Sequence, residues 1–152
     1  MIYTDENRGL IQNRERARQI IAYDGLQFKR KITPTDIDGY FEYDDKVFVF
    51  YELKYGNAYP PKGQLVALKR IVKAITETGR KAVLFICSHS VGDPDEDIDA
   101  ANATVTSLYM GGEMMRGDGR TAKRMTIDFL RYALGDEAEM VILEDDLQWK
   151  QD

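Results

Sequence analysis

The sequence predicts an α/β domain in which helices flank a central sheet. Three local signals carry that expectation. Residues 36–43 and 47–55 are β-rich runs joined by the short polar connection Asp44-Asp45-Lys46, the pattern of a β-hairpin. Residues 62–78 carry apolar side chains at 65, 68, 71, 72 and 75, the spacing of a helix, with Gly79 as its stop. Residues 81–87 are a short apolar run that reads as a further strand.

The elements follow in order. Residues 4–22 read as a first helix, with Thr4 as N-cap, Gly25 just past the end, and Leu10, Ala17 and Ile21 on one face. Residues 26–32 alternate weakly, which predicts a first strand, and Pro34 breaks the run. In the hairpin, Val47-Phe48-Val49-Phe50-Tyr51 is apolar on both faces, so that strand belongs in the sheet interior. Gly56, Asn57, Pro60 and Pro61 form a loop before the helix. After the strand over 81–87 come a loop over 88–100 and a strand over 104–110, where β-branched residues mix with Tyr109. Gly-rich turns flank Met114-Met115, residues 121–134 read as a helix ended by Gly135, and residues 140–143 as a final edge strand. The expectation is a single domain over 1–152, with a core over 4–88 and a strand-helix appendage over 101–152.

Composition narrows the function classes. A chain of 152 residues is long enough to bury one core. Its balance of 43% hydrophobic and 31% charged residues is that of a globular protein, not a disordered one. No apolar run approaches the ~20 residues of a membrane span, and the start, Met-Ile-Tyr-Thr-Asp-Glu, lacks a signal-peptide pattern. A reducing, cytoplasmic setting is expected. Cys87, the single cysteine, cannot form an internal disulfide and reads as a buried small hydrophobe.

The net charge of −5 counts against a surface built as a whole for nucleic acid. It leaves room for a local basic strip. Positive residues cluster at Arg14, Arg16 and Arg18, at Lys29, Arg30 and Lys31, at Lys69, Arg70 and Lys73, and at Arg116, Arg120, Lys123 and Arg124. Acid gathers in residues 93–99 and 136–152. Each basic cluster taken alone reads first as a solvated face.

One constellation carries chemistry. Glu52 and Lys54 lie two apart on a strand, so both project from one face at the end of an otherwise apolar run. That is an unfavourable place for two charges without partners or a task. Asp38 lies near the start of the partner strand, across from residues 51–53, within the ~5 Å between adjacent strands. Two carboxylates with water and a phosphate oxygen are a donor set that Mg²⁺ favours. Such a cation would polarise a phosphoryl group, and Lys54 would orient the attacking water or neutralise developing charge.

The run Thr-Asp36-Ile-Asp38-Gly-Tyr-Phe, then Val-Phe-Tyr-Glu52-Leu-Lys54, resembles the signature of the PD-(D/E)xK nuclease superfamily. With Gln64 twelve residues after Glu52, it is similar to the small stand-alone VRR-type nucleases and their phage relatives. The element order over residues 4–87 matches that superfamily's restriction-endonuclease-like αβββαβ core, and nothing after Ser88 contributes. The resemblance implies that Asp38, Glu52 and the Leu53 carbonyl hold Mg²⁺, with Mn²⁺ able to substitute. It further implies that Lys54 assists the nucleophilic water and that Gln64 supports the site or contacts the phosphate. The family's proline-aspartate is not intact, because Pro34 precedes Asp38 by four residues. Asp36 shares the face of Asp38 and rivals it for the metal. Gly39, which would let a substrate backbone approach, favours Asp38. Many relatives add an acid from the first helix. Here Glu6 has the better helical phase and Glu15 the better spacing, so both stay open.

Other signals carry less. Asp93-Pro-Asp95-Glu-Asp97-Ile-Asp99 resembles a calcium loop only in composition, because Ile98 and Thr104 stand where an EF-hand needs Gly and Glu. His89 follows the strand over 81–87 and reads as a loop histidine. Gly111-Gly112 and Gly117-Asp-Gly119 lack the Lys-Ser/Thr of a phosphate-binding loop. Tyr40, Tyr43, Tyr51, Tyr55 and Tyr59 suit base stacking or sheet packing equally. Met110, Met114 and Met115 suggest an adaptable apolar contact, such as a subunit interface. The expected function is a Mg²⁺-dependent nuclease acting on DNA, with basic residues of the first helix and of 116–124 on the backbone. A homodimer would suit two-strand cleavage. The alternatives are a catalytically inactive module of the same fold that binds nucleic acid or a protein, and a plain interaction domain.

Overall fold

The computed structural model describes residues 19–148. The chain divides into two compact units, Met1–Thr35 and Asp36–Asp152, where the sequence reads as a single domain. Most of the helix expected over 4–22 lies outside the described residues, as do Glu6, Glu15, Arg14, Arg16 and Arg18. Residues 19–23 are not helical. The strand expected over 26–32 is not formed. Short 3₁₀ turns at Asp24–Leu26 and Lys29–Lys31 take its place. Arg30 (φ 63°) and Lys31 (φ 60°) reverse the chain, and Phe28 N–H donates to the Ile32 carbonyl at 2.8 Å. Three consecutive cations at the middle of that run leave it little apolar surface to bury against a sheet.

The second unit is a three-layer α/β structure. Its strands are β1 (Gly39–Tyr43), β2 (Val47–Tyr55), β3 (Lys81–His89), β4 (Thr104–Met110) and β5 (Glu113–Arg116). They form one sheet in the order β1-β2-β3-β4-β5. Strands β2 and β3 are parallel, joined by the crossover helix α1 (Lys62–Glu77), and every other pairing is antiparallel. A second helix, α2 (Ala122–Leu134), starts at Thr121, whose side chain accepts from Arg124 N–H, and stops at Gly135 (φ 59°).

The apolar character of β2 and β3 on both faces follows from this layering. On one face Phe50, Ala82, Leu84, Ile86 and Tyr109 pack with Leu68 and Val72 of α1. On the other, Val47, Val49, Val83, Phe85, Cys87 and Val105 pack with Met125, Ile127, Phe129 and Leu130 of α2. Cys87 is fully enclosed there, and burial pushes its thiol up to about 12, so it packs and does not react.

Two turns set the sheet's registers. Between β1 and β2, Asp44 (φ 47°) and Asp45 (φ 57°) are left-handed, and Lys46 N–H closes onto the Tyr43 carbonyl at 2.9 Å. Arg80 clamps Asp45 through Nε to Oδ1 at 2.9 Å and Nη2 to Oδ2 at 2.6 Å, holding that carboxyl below its usual range. Between β4 and β5, Gly111 (φ 62°) and Gly112 (φ 82°) make a two-residue turn of the primed type.

The C-terminal part departs from expectation. Strand β5 occupies the Met114-Met115 segment between the Gly-rich turns, which the sequence leaves without an assigned element, and Leu108 and Met110 join the core on the α2 face. Residues after 100 are therefore integral to the sheet and its cover, not an appendage. No strand forms over 140–143. Turns at Gly135–Met140 and Glu144–Asp146 replace it, because the acidic neighbours keep the backbone in solvent while Ile142 docks into the core. Among the described residues, no helix is long and apolar enough to cross a membrane.

Strand β4 contains a β-bulge. Ile86 pairs with Ser107 and Cys87 with Val105, so Thr106 is an extra residue. Its hydroxyl donates to the Ile86 carbonyl at 3.2 Å. Normal alternation would put Val105 and Ser107 on one face. The bulge places Val105 in the α2-side core and Ser107 on the α1 side. Gly117 fits against this point: a Cβ there would stand 2.0 Å from the Val105 carbonyl oxygen, and Gly117 N–H donates to the Thr106 carbonyl at 2.8 Å. We expect Gly117→Ala to destabilise the fold by about 1–3 kcal/mol, as overpacking against backbone does. Urea unfolding measures this, and an unchanged midpoint would show that the bulge yields without strain.

Candidate active site

Strand β2 is buried at its start and emerges toward solvent at Tyr55, which sets the environment of each residue near its end. Glu52, on the α1 face, is 0% exposed. Lys54, two residues on, keeps its side chain partly open, and its Nζ lies 2.9 Å from Glu52 Oε1. That ammonium approaches off the hydrogen-bonding direction, so both Glu52 oxygens are buried without an aligned donor.

The β1–β2 register pairs Gly39 with Tyr51 and Tyr40 with Phe50. Continued one residue past the end of β1, it sets Asp38 opposite Glu52. Asp38 Oδ2 accepts from Leu53 N–H at 2.8 Å, capping the edge of β2 where the ladder stops. The two carboxyls are close enough to interact directly. Burial pushes the Glu52 carboxyl above its ordinary value, Lys54 pulls it down, and the negative charge of Asp38 raises it. Asp38 therefore stands across the β1–β2 register from Glu52.

The remaining sequence candidates fall into place around this pair. Gln64, in the first turn of α1, donates from Nε2 to the Asp36 carbonyl at 3.3 Å. It ties the helix to the segment leading into Asp38 and does not touch either carboxylate directly. Gly39 has a packing reason in addition to any substrate approach: a Cβ there would lie 3.2 Å from the Tyr51 ring. His89 ends β3 opposite Tyr55, and its Nδ1 accepts from Val91 N–H at 3.1 Å. By strand alternation it belongs to the face away from Glu52.

The donor set suits a hard divalent cation. Glu52 brings two oxygens without aligned donors, Asp38 brings a second carboxylate, and the Leu53 carbonyl belongs to the same stretch of chain. Among the described residues no group of three or more His, Cys, Asp or Glu gathers, the acidic loop over 93–99 included. Mg²⁺ commonly uses one or two carboxylates and completes its shell with water and substrate phosphate, so a two-acid site fits it.

The basic cluster over 116–124 is largely spoken for. Arg120 pairs with Asp118 at 2.9 Å and Asp128 at 2.6 Å, Arg124 with Asp128 at 3.2 Å, and Lys123 with Asp146 at 3.0 Å. Arg120–Asp128 and Lys123–Asp146 fasten α2 to its surroundings, and all four pairs reduce the charge available to a backbone. Lys69 lies over the Tyr109 ring, 5.5 Å from its centroid. The tyrosines divide as follows: Tyr51 is half-buried and bonded to Thr126 Oγ1 at 2.6 Å, Tyr40 is exposed with its ring tilted against Phe50, Tyr43 donates to Glu137, and Tyr55 and Tyr59 stay exposed.

No protein-family model, curated protein or solved structure matches the chain.

The raised Glu52 carboxyl has a consequence for stability. Between the ordinary carboxylate value and the raised one, the folded state holds a proton that the unfolded state has lost. Stability therefore falls as pH rises through that window. Glu52→Gln, which removes the buried charge, is expected to raise Tm at pH 7–8 more than at pH 4. A thermal melt series across pH checks this; an equal change at both ends would mean Glu52 carries no penalty in the fold.

Proposed function

We propose that the protein is a divalent-metal-dependent nuclease that hydrolyses phosphodiester bonds in DNA, with a restriction-endonuclease-like core. The single observation that supports it best is the meeting of Asp38 with buried Glu52, whose oxygens lack aligned donors, beside the Lys54 ammonium. Asp38 and Glu52 would hold Mg²⁺ or Mn²⁺, together with the Leu53 carbonyl. When bound, the cation supplies Lewis-acid stabilisation of charge at the phosphoryl oxygens.

The chain's own residues do the rest. Lys54 is long enough to leave Glu52 and donate to an attacking water or to a phosphate oxygen, holding it in line. The Leu53 N–H fixes the Asp38 carboxylate, so one oxygen is oriented before any ligand arrives. Gln64 positions the backbone ahead of Asp38. Burial of Glu52 lowers the local dielectric and strengthens each of these charge interactions.

A second reading, a module of this fold that binds without cleaving, gains support from the internal pairing of Arg120, Lys123 and Arg124 and from the net charge of −5. Incubation of linear DNA with the protein and Mg²⁺ separates the two. We expect cleavage, reduced about 10²-fold or more in Glu52→Ala and in Lys54→Ala, the scale of losing a charge-stabilising group. Mg²⁺ or Mn²⁺ should also raise the Tm of the parent and leave that of Glu52→Gln unmoved. Cleavage that persists equally in Glu52→Ala would place the activity elsewhere. Absence of both cleavage and a metal-dependent Tm shift would favour the binding module.

A further inference from the structure

The sheet register carries the site further than the carboxylate pair. Glu52 pairs with Ile86, Ile86 with Ser107, and Ser107 with Arg116, so one row crosses the α1 face from Glu52 to the far edge strand. Three strand spacings of ~4.8 Å put the two ends of that row about 14 Å apart. The bulge at Thr106 brings Ser107, and with it Arg116, onto this face.

A groove of about 430 Å³ opens over the far half of the row. The loop Gly56-Asn57-Ala58-Tyr59, which leaves β2 directly after Lys54-Tyr55, forms one wall, and Ser107, Met114 and Arg116 line the floor. Tyr59 is 52% exposed, and its hydroxyl sits 3.4 Å from Ser107 Oγ, which holds the ring against the groove. Arg116 is exposed and, among the described residues, its side chain has neither an ion pair nor a hydrogen bond. Arg80, Arg120 and Arg124 by contrast are all held by acids. The groove therefore offers an aromatic platform, a hydroxyl and an uncommitted guanidinium at a few nucleotides' distance from the carboxylates. Only an unstacked base can present its face to such a platform, because duplex bases cover one another.

Resting on the nuclease reading above, we infer that this groove holds an unpaired nucleotide of the substrate strand, its base on Tyr59 and its phosphate at Arg116, so the preferred substrate is single-stranded at the site.

The test uses the full chain carrying Glu52→Gln, so that binding is read without cleavage. Fluorescence anisotropy measures the affinity for a short single-stranded oligonucleotide and for its duplex. Tyr59→Ala should weaken single-strand binding about tenfold while Tyr59→Phe retains it, the signature of stacking. Arg116→Ala should weaken it and flatten the salt dependence by about one phosphate contact. Arg70→Ala, exposed on α1, serves as the control for general charge loss. Loss on the single strand with little change on the duplex supports the groove. Unchanged single-strand affinity in Tyr59→Ala and Arg116→Ala, equal loss on the duplex, or no oligonucleotide binding at all would overturn it. The two proposals fail separately. Cleavage that needs Glu52 but ignores Tyr59 and Arg116 removes the groove alone, and groove-dependent binding without metal-dependent cleavage removes the hydrolysis alone.

Discussion

The architecture turns on the burial of β2. The strand sits between β1 and β3 and under a helix on each face, which is why its sequence is apolar throughout. That covering continues as far as Glu52 and strips water from a carboxylate that has only an off-line ammonium and a second acid for company. Such a group meets the cost of burial by pairing with the Lys54 ammonium and by holding its proton to a higher pH. The pairing of Glu52 with Asp38 is decided at the opposite end of the hairpin, where Asp45 is gripped by Arg80. A slip of one residue at that turn would face Glu52 with Ile37 or Gly39, and the pair of acids would vanish without any change in composition.

What could be read in the sequence follows from this covering. Elements with apolar periodicity and terminal punctuation were legible: the hairpin strands, α1 with Gly79, and α2 between Thr121 and Gly135. So was the face shared by Glu52 and Lys54, because strand alternation needs no tertiary knowledge. The preference for Asp38 over Asp36 as metal ligand rests on Gly39 in the sequence; the register adds only that Asp38 continues the ladder opposite Glu52. Residues 26–32 alternate weakly, but Lys29-Arg30-Lys31 set three charges in that run and form a tight turn instead. Strand β5 is only four residues long, and its signal lay in Gly111-Gly112, a hairpin turn read as an isolated one. The pairs Arg120–Asp118 and Arg124–Asp128 are local in sequence, the second at helical i,i+4 spacing, whereas Lys123–Asp146 joins residues 23 apart that only the fold brings together.

The electrostatics also change character once the partners are known. A count of basic residues over 116–124 suggests a strip for polyanions, yet most of that charge is absorbed in joining α2 to the turn before it and to the C-terminal turns. Attraction of a polyanion at a distance is then weak, consistent with the net charge of −5. Recognition on such a surface depends on short-range contacts, and so on shape.

The extra residue in β4 has an evolutionary consequence. Since Thr106 inverts which side of the sheet the rest of the strand presents, the length of that segment is constrained more tightly than its composition. Substitutions at that position can drift while the inversion survives. Loss of the residue would exchange the inward and outward sides of everything from Ser107 to Arg116 at once. Among relatives of this chain, gaps in an alignment at that point would therefore mark a different groove floor more surely than any replacement there.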